Sequence, residues 1–286
     1  MTGVAAVPGP AGDRDASEVS LLVLGSASGL PNGERFCTSL ALRGPDGPVL
    51  VDCGAPASTL LYRYGEDPLH LRAILLSHFH VDHAADLPLL VQQLWLLNER
   101  RATPVRVPVY GPPGTAARLG WLKRFYLMLP SIYPAAAHDP AEGRDAATGT
   151  RYALGPATAV EFFATTHFPP PDGHPDLQAA NFGAPLVAYG MALRCAGRRI
   201  VYSGDSRHVD DVAPHLDGAT LLVHELGHHD PADVLRLAAA HRVPRLLLTH
   251  LHPRYDRAAA DLVRLAAAAG YRGDLAIAHD GLRLAL

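Results

Sequence analysis

The chain is poor in the residues that staple or anchor a protein. Cysteine occurs three times, at Cys37, Cys53 and Cys195, with no CxxC pair. That excludes a thiolate zinc knot and a disulfide framework, and it suits a reducing cytoplasm. No stretch approaches the ~18 consecutive apolar residues of a membrane span, so no membrane partner is expected. Lysine occurs once, at Lys123, and the formal net charge is −3. A chain so close to neutral is not built to grip nucleic acid through bulk charge. Residues 1–18 lack both a basic start and an apolar run, and they read as a flexible leader, not a signal peptide.

Apolar residues are plentiful, at 48% of 286. That is enough to bury a sizeable core in one domain, residues 19–286. Short apolar runs predict strands at Ser20–Leu24, Ser39–Leu42, Pro48–Val51, Ala73–Leu76, Val107–Tyr110, Val160–Ala164, Val187–Arg194 and Arg199–Tyr202. The last third alternates strand Thr220–His224, helix Ala232–His241, strand Arg245–Thr249, helix Arg257–Ala269 and strand Leu275–Ala278. Apolar spacing over Leu87, Leu90, Val91, Leu94, Trp95 and Leu97 predicts a helix at Ala84–Arg100. A later helix carries Trp121, Phe125 and Tyr126, read mostly as core. Residues 134–150 read as a polar surface loop, and the proline-rich Phe168–Phe182 as an active-site or lid loop.

Histidine, at 16 copies, is the anomaly. Ser77-His78-Phe79-His80-Val81-Asp82-His83 sets four potential ligands directly after a strand and before a helix. Alternate residues leaving a strand end project the same way, so His78 and His80 can grip one metal while Asp82 and His83 aim at a second. Imidazole with carboxylate suits Zn²⁺, with Fe²⁺ or Mn²⁺ as alternatives. Further candidates recur at later strand exits: His167, Asp205 and His250. Asp205 is the natural bridge, one oxygen to each cation. His167 leaves an apolar strand directly and is preferred as ligand over His174, which sits among Pro, Gly and Asp as a substrate contact or a solvated residue.

These residues, in this order, resemble the metallo-β-lactamase superfamily, and within it the ribonuclease Z-like branch. Leu24-Gly25-Ser26, Val51-Asp52-Cys53-Gly54, Tyr110-Gly111-Pro112, Tyr202-Ser203-Gly204-Asp205-Ser206-Arg207, His224-Glu225 and Leu248-Thr249-His250 carry the likeness. It implies an α/β fold, a four-layer αββα sandwich with a dinuclear metal site at the sheet edge. It implies one metal on His78, His80, His167 and Asp205, and a second on Asp82, His83, Asp205 and His250. It further implies that Asp82 orients or deprotonates an attacking water, which ionises near neutral pH between the two cations.

The same resemblance implies a glutamate that orients a histidine proton donor. Glu225 is that glutamate, and the donor is His228 or the adjacent His229, because the ~20-residue stretch usually found between the two parts is missing. A carboxylate beside an imidazole keeps a proton available to a leaving group. The branch's basic arm for tRNA is expected between His167 and Asp205, but that interval of 38 residues (205 − 167) contains no lysine. The reading is therefore a hydrolase of a small-molecule ester, foremost a phosphodiester. A tRNA 3′-processing endonuclease, a sulfatase or a lactonase is the alternative, and a non-hydrolytic metal or iron-oxygen protein ranks lower. A homodimer through Trp121–Tyr133 is a further expectation.

Overall fold

In the computed structural model, residues 18–99, 101–129, 139–169 and 175–286 are described. The leader read at residues 1–18 lies outside them apart from Glu18, and His174 lies outside them too.

Two seven-stranded mixed sheets form the centre. The first contains β1 (Ser20–Gly25), β2 (Ser39–Gly44), β3 (Gly47–Val51), β4 (Ala73–Leu75), β5 (Val107–Gly111), β6 (Ala141–Asp145) and β14 (Arg283–Ala285), in the order β14-β1-β2-β3-β4-β5-β6. The second contains β7 (Arg151–Ala153), β8 (Thr158–Thr165), β9 (Ala188–Cys195), β10 (Arg198–Tyr202), β11 (Leu221–Glu225), β12 (Arg245–Thr249) and β13 (Asp274–Ile277), in the order β13-β12-β11-β10-β9-β8-β7. Strands β3 to β6 run parallel, as do β10 to β13.

Continuous apolar strands make sense here because both faces of each sheet are covered. In β1, Leu21 and Val23 point between the sheets, while Leu22 and Leu24 point outwards under helices. In β12, Leu247 points inwards and Leu246 and Leu248 outwards. Helices α1 (Ala57–Arg63), α3 (Leu87–Asn98) and α4 (Thr115–Phe125) cover the first sheet. Helices α6 (Pro231–Ala240) and α7 (Ala259–Ala268) cover the second. The expected four-layer αββα sandwich is what forms. Among the described residues, no helix is long and apolar enough to cross a membrane.

Several local expectations need correction. The stretch 134–150 is not all loop: Ala141–Asp145 forms β6, an edge strand paired with β5, which its polar sequence hid. The helix read as Ala84–Arg100 forms as the shorter α3, and a separate short helix, α2 (Val81–Ala84), precedes it. They part at Asp86, whose carboxylate accepts the Ser58 backbone N–H at 2.6 Å, with Pro88 two residues on. The loop Phe168–Phe182 contains a short helix, α5 (Pro175–Ala180). Trp95 is buried as expected, but Trp121, Phe125 and Tyr126 are exposed on α4 and just past it, not core.

Candidate metal centre

Parallel strands deliver their C-terminal ends to one rim, and there the polar residues gather. His78 follows β4, His167 follows β8, Asp205 follows β10, Glu225 ends β11 and His250 follows β12. Backbone hydrogen bonds clamp the two sheets together at this rim: Tyr189 N–H to Ser77 O at 2.9 Å and Leu251 N–H to Ser26 O at 2.8 Å. Gly204, with φ +57°, turns the chain sharply against the Tyr189 carbonyl and so presents Asp205. His250 itself adopts a left-handed conformation, φ +51°, which a non-glycine residue holds only where its surroundings enforce it.

Three overlapping groups result, each with donor atoms within 4.8 Å of one another: His78, His80, His167 and Asp205; Asp82, His83 and His250; and Asp205, Glu225, His228 and His250. Asp205 faces two ways. Its Oδ2 lies 3.7 Å from His78 Nε2, and its Oδ1 lies 3.3 Å from His83 Nε2 and 3.6 Å from His250 Nε2. Asp82 Oδ2 lies 3.2 Å from His250 Nε2 and 3.5 Å from His83 Nε2. All seven residues proposed from sequence as ligands therefore converge.

Whether a cation fits can be judged from unmet polar atoms. His78 Nε2, His83 Nε2 and Asp205 Oδ1 are buried, face the cluster and have no hydrogen-bond partner. Buried polar atoms left unpaired are costly, and nitrogen and carboxylate oxygen are the donors a divalent metal of the zinc type takes. The residues fit such an ion.

Support behind the cluster was only partly foreseen. Asp52, at the exit of β3 with φ +57°, receives His83 Nδ1 at 2.8 Å, Tyr202 O–H at 2.7 Å, Ser77 Oγ–H at 2.9 Å and the Ser77 N–H at 2.7 Å. A carboxylate on the back nitrogen fixes a ligand histidine's ring and tautomer. Sequence reasoning noted Asp52 but gave it no role, although a polar residue leaving a buried strand is the signal that marked Asp205. Ser203 Oγ accepts the Glu225 N–H at 3.1 Å. Thr249, beside His250, has a hydroxyl with no partner.

Glu225 is fully buried, and its Oε1 accepts His228 Nδ1–H at 2.9 Å while its Oε2 accepts the His228 N–H at 2.9 Å. That bond draws the His228 pKa up, against burial. His229 is turned inwards, its Nε2 2.9 Å from Ser206 Oγ. The two candidate donors are thus distinguished by geometry: His228 is open to solvent with His80, and His229 is not. The His228 ring lies 5.2 Å from that of His167 and stacks at 5.7 Å on that of His250. Phe168 borders the open side, 5.3 Å from the His80 ring and 4.9 Å from the His167 ring.

The fold and the rim cluster define a class: a two-sheet αββα protein of the metal-dependent hydrolase type. The family model described as the beta-lactamase superfamily domain matches residues 48–251, and the chain belongs to that superfamily, in its ribonuclease Z-like part. It is 26% identical over 276 residues to a ribonuclease Z of Methanothermobacter thermautotrophicus, covering 82% of this chain and 87% of the relative. Among solved structures it is similar to the metallo-beta-lactamase fold protein YhfI from Bacillus subtilis, with TM-score 0.70, 21% identity, and 94% and 100% of the two chains covered. It is also similar to a diphosphatase from the PhnP family, with TM-score 0.63, 17% identity, and 94% and 97% covered.

Charge at the centre sets a pH dependence for metal-free protein. Burial alone would lower the His250 pKa, but Asp205, Asp82 and Glu225 outweigh it and lift it from 6.5 to about 9. His83 is lifted likewise, by Asp205 and Asp52 against burial. A raised histidine pKa stabilises the fold fully below the unfolded value and loses that stabilisation as pH rises through the folded value. Metal-stripped protein is therefore expected to lose stability between pH 6.5 and about 9. Denaturant titrations across that range check it; a flat or rising profile contradicts it.

Proposed function

We propose that the chain is a two-metal hydrolase of ester bonds, with a small phosphodiester as its substrate. One observation carries this reading: seven His and Asp side chains from both sheets meet at one rim, beside a buried glutamate that holds a solvent-facing histidine. His78, His80, His167 and Asp205 would hold one ion, and Asp82, His83, Asp205 and His250 the other. Divalent cations there, Zn²⁺ first with Mn²⁺ or Fe²⁺ as alternatives, supply a Lewis acid and bring the pKa of water near neutrality.

The chain's own residues do the rest. Asp205, with Oδ2 towards His78 and Oδ1 towards His83 and His250, would serve both groups of ligands, and its negative charge would lessen repulsion between two cations. Asp82 is held ionised by His250 and His83 against the effect of burial, and it aims the attacking water and takes its proton. Glu225 fixes Nδ1 of His228, which leaves Nε2 to protonate the departing oxygen. Phe168 narrows the approach on the open side.

Ribonuclease Z relatives support an ester of phosphorus, and they favour pre-tRNA as the second reading. Against a large polyanion stand the net charge and the interval between His167 and Asp205. Its described part is occupied by α5, β9 and β10, with no lysine in the interval. A homodimer belongs to the same proposal, supported by the exposed Trp121–Phe125 stack at 4.9 Å on α4; residues 130–133 of the expected contact lie outside the described residues.

A panel of bis(nitrophenyl) phosphate, a nitrophenyl sulfate, a lactone and pre-tRNA at defined metal loading tests the substrate. Fastest turnover of the phosphodiester is expected, and preference for any other member overturns that choice. Elemental analysis of purified protein should find about two first-row metal ions per chain, and one or none contradicts the dinuclear site. Replacing His228 by Ala should cost about 10²–10⁴ in kcat for alkyl phosphodiesters and much less for nitrophenyl esters, which leave unaided. Equal losses on both would show that His228 is not the proton donor.

A further inference from the structure

The acid and the metal centre are joined by an unusually short link: Glu225 and His228 are three residues apart, and the chain between them crosses a ligand. Leu226 is fixed first, its N–H donating to Thr249 O at 2.9 Å, one residue before His250. His228 is fixed last, by the Glu225 carboxylate. Gly227 lies between, against the His250 imidazole. A β-carbon built on Gly227 would stand 2.5 Å from His250 Nδ1, 2.8 Å from Cε1 and 3.3 Å from Glu225 Oε2. It would crowd the facing pair of Glu225 Oε2 and His250 Nδ1, which lie 3.5 Å apart. Neither side can yield freely. His250 is buried, in a left-handed conformation and turned to Asp82 and Asp205, and Glu225 is buried beneath His228.

We infer that Gly227 is a positioning residue for both halves of the centre: only a residue without a side chain lets a three-residue link bring His228 onto the His250 ring while Glu225 faces both histidines. This deepens the metal-centre reading above and rests on it. A methyl group at position 227 must displace either the His250 ring, and with it a metal ligand, or the link, and with it the proton donor.

The test is a double-variant cycle on the full chain: Gly227→Ala, His250→Ala and both together. Gly33→Ala is the control, because a β-carbon there meets nothing within 4 Å. Two quantities are read: Zn²⁺ affinity by competition with a chromophoric chelator, and the melting midpoint of metal-stripped protein. Gly227→Ala alone should weaken Zn²⁺ binding by about tenfold or more and lower the midpoint by about 2–4 °C. In the His250→Ala background the same methyl should change neither, since the ring it collides with is gone. Equal losses in both backgrounds, or none in either, overturn the inference. If Gly227→Ala alone does not fold, folding of the double variant supports it and failure of the double variant overturns it. Wild-type protein that binds no zinc would sink the metal reading instead, and the melting cycle would still decide the role of Gly227.

Discussion

Four carboxylates, those of Asp52, Asp82, Asp205 and Glu225, are held out of water at one rim, and much of the molecule serves to make that tolerable. Ionised groups in a low-dielectric interior are costly unless paired, so the site requires positive charge. In the chain alone, that charge comes from protons: His83 and His250 are drawn towards the imidazolium form by the carboxylates around them. His78 and His167 go the other way, because burial outweighs Asp205 and their neighbours are themselves histidines. An arrangement that pulls protons onto some imidazoles and off others has its charge unevenly met. Divalent cations meet the same requirement with fewer compromises, since neutral imidazole and ionised carboxylate are the forms that bind them.

The fold answers a geometric demand as well. Residues from six strand exits must arrive within a few ångströms, although they span positions 52 to 250 in sequence. Parallel strands do this economically, because neighbours end at the same edge. Two sheets sharing a core put two such edges side by side. Asp52 then closes the join, for it exits the first sheet yet accepts a hydrogen bond from Tyr202 of the second. That contact holds the sheets in register at the point where His83 must be aimed, so the core and the chemistry share one buried carboxylate.

The centre was largely legible in the sequence because its residue types are rare at strand exits and the exits themselves are marked by apolar runs. His78, His80, Asp82 and His83 fall in one stretch, and Asp205 and His250 each end a run of buried residues. What stayed hidden was whatever depends on contacts remote in sequence. The partners of Asp52 lie 25, 31 and 150 residues away. Strand β6, with sequence Ala-Glu-Gly-Arg-Asp, is held by its neighbour's backbone and shows no apolar alternation. The aromatic face of α4 has helical spacing whether it meets core or solvent, so periodicity could not decide its exposure.

The choice between His228 and His229 was open for a related reason: adjacent residues on a loop point to opposite sides, and composition does not say which. The structure resolves the orientation through Glu225, whose two oxygens are shared among His228, His229 and His250. His228 is therefore not independent of the rim cluster. It rests on the carboxylate that also faces His250, and its ring stacks on the His250 ring. A change in the His250 ring's position reaches His228 through two contacts and no intervening flexible segment. The short link removes the freedom that a long excursion between Glu225 and His228 would allow, and under the proposed function it ties proton donation to an intact metal centre.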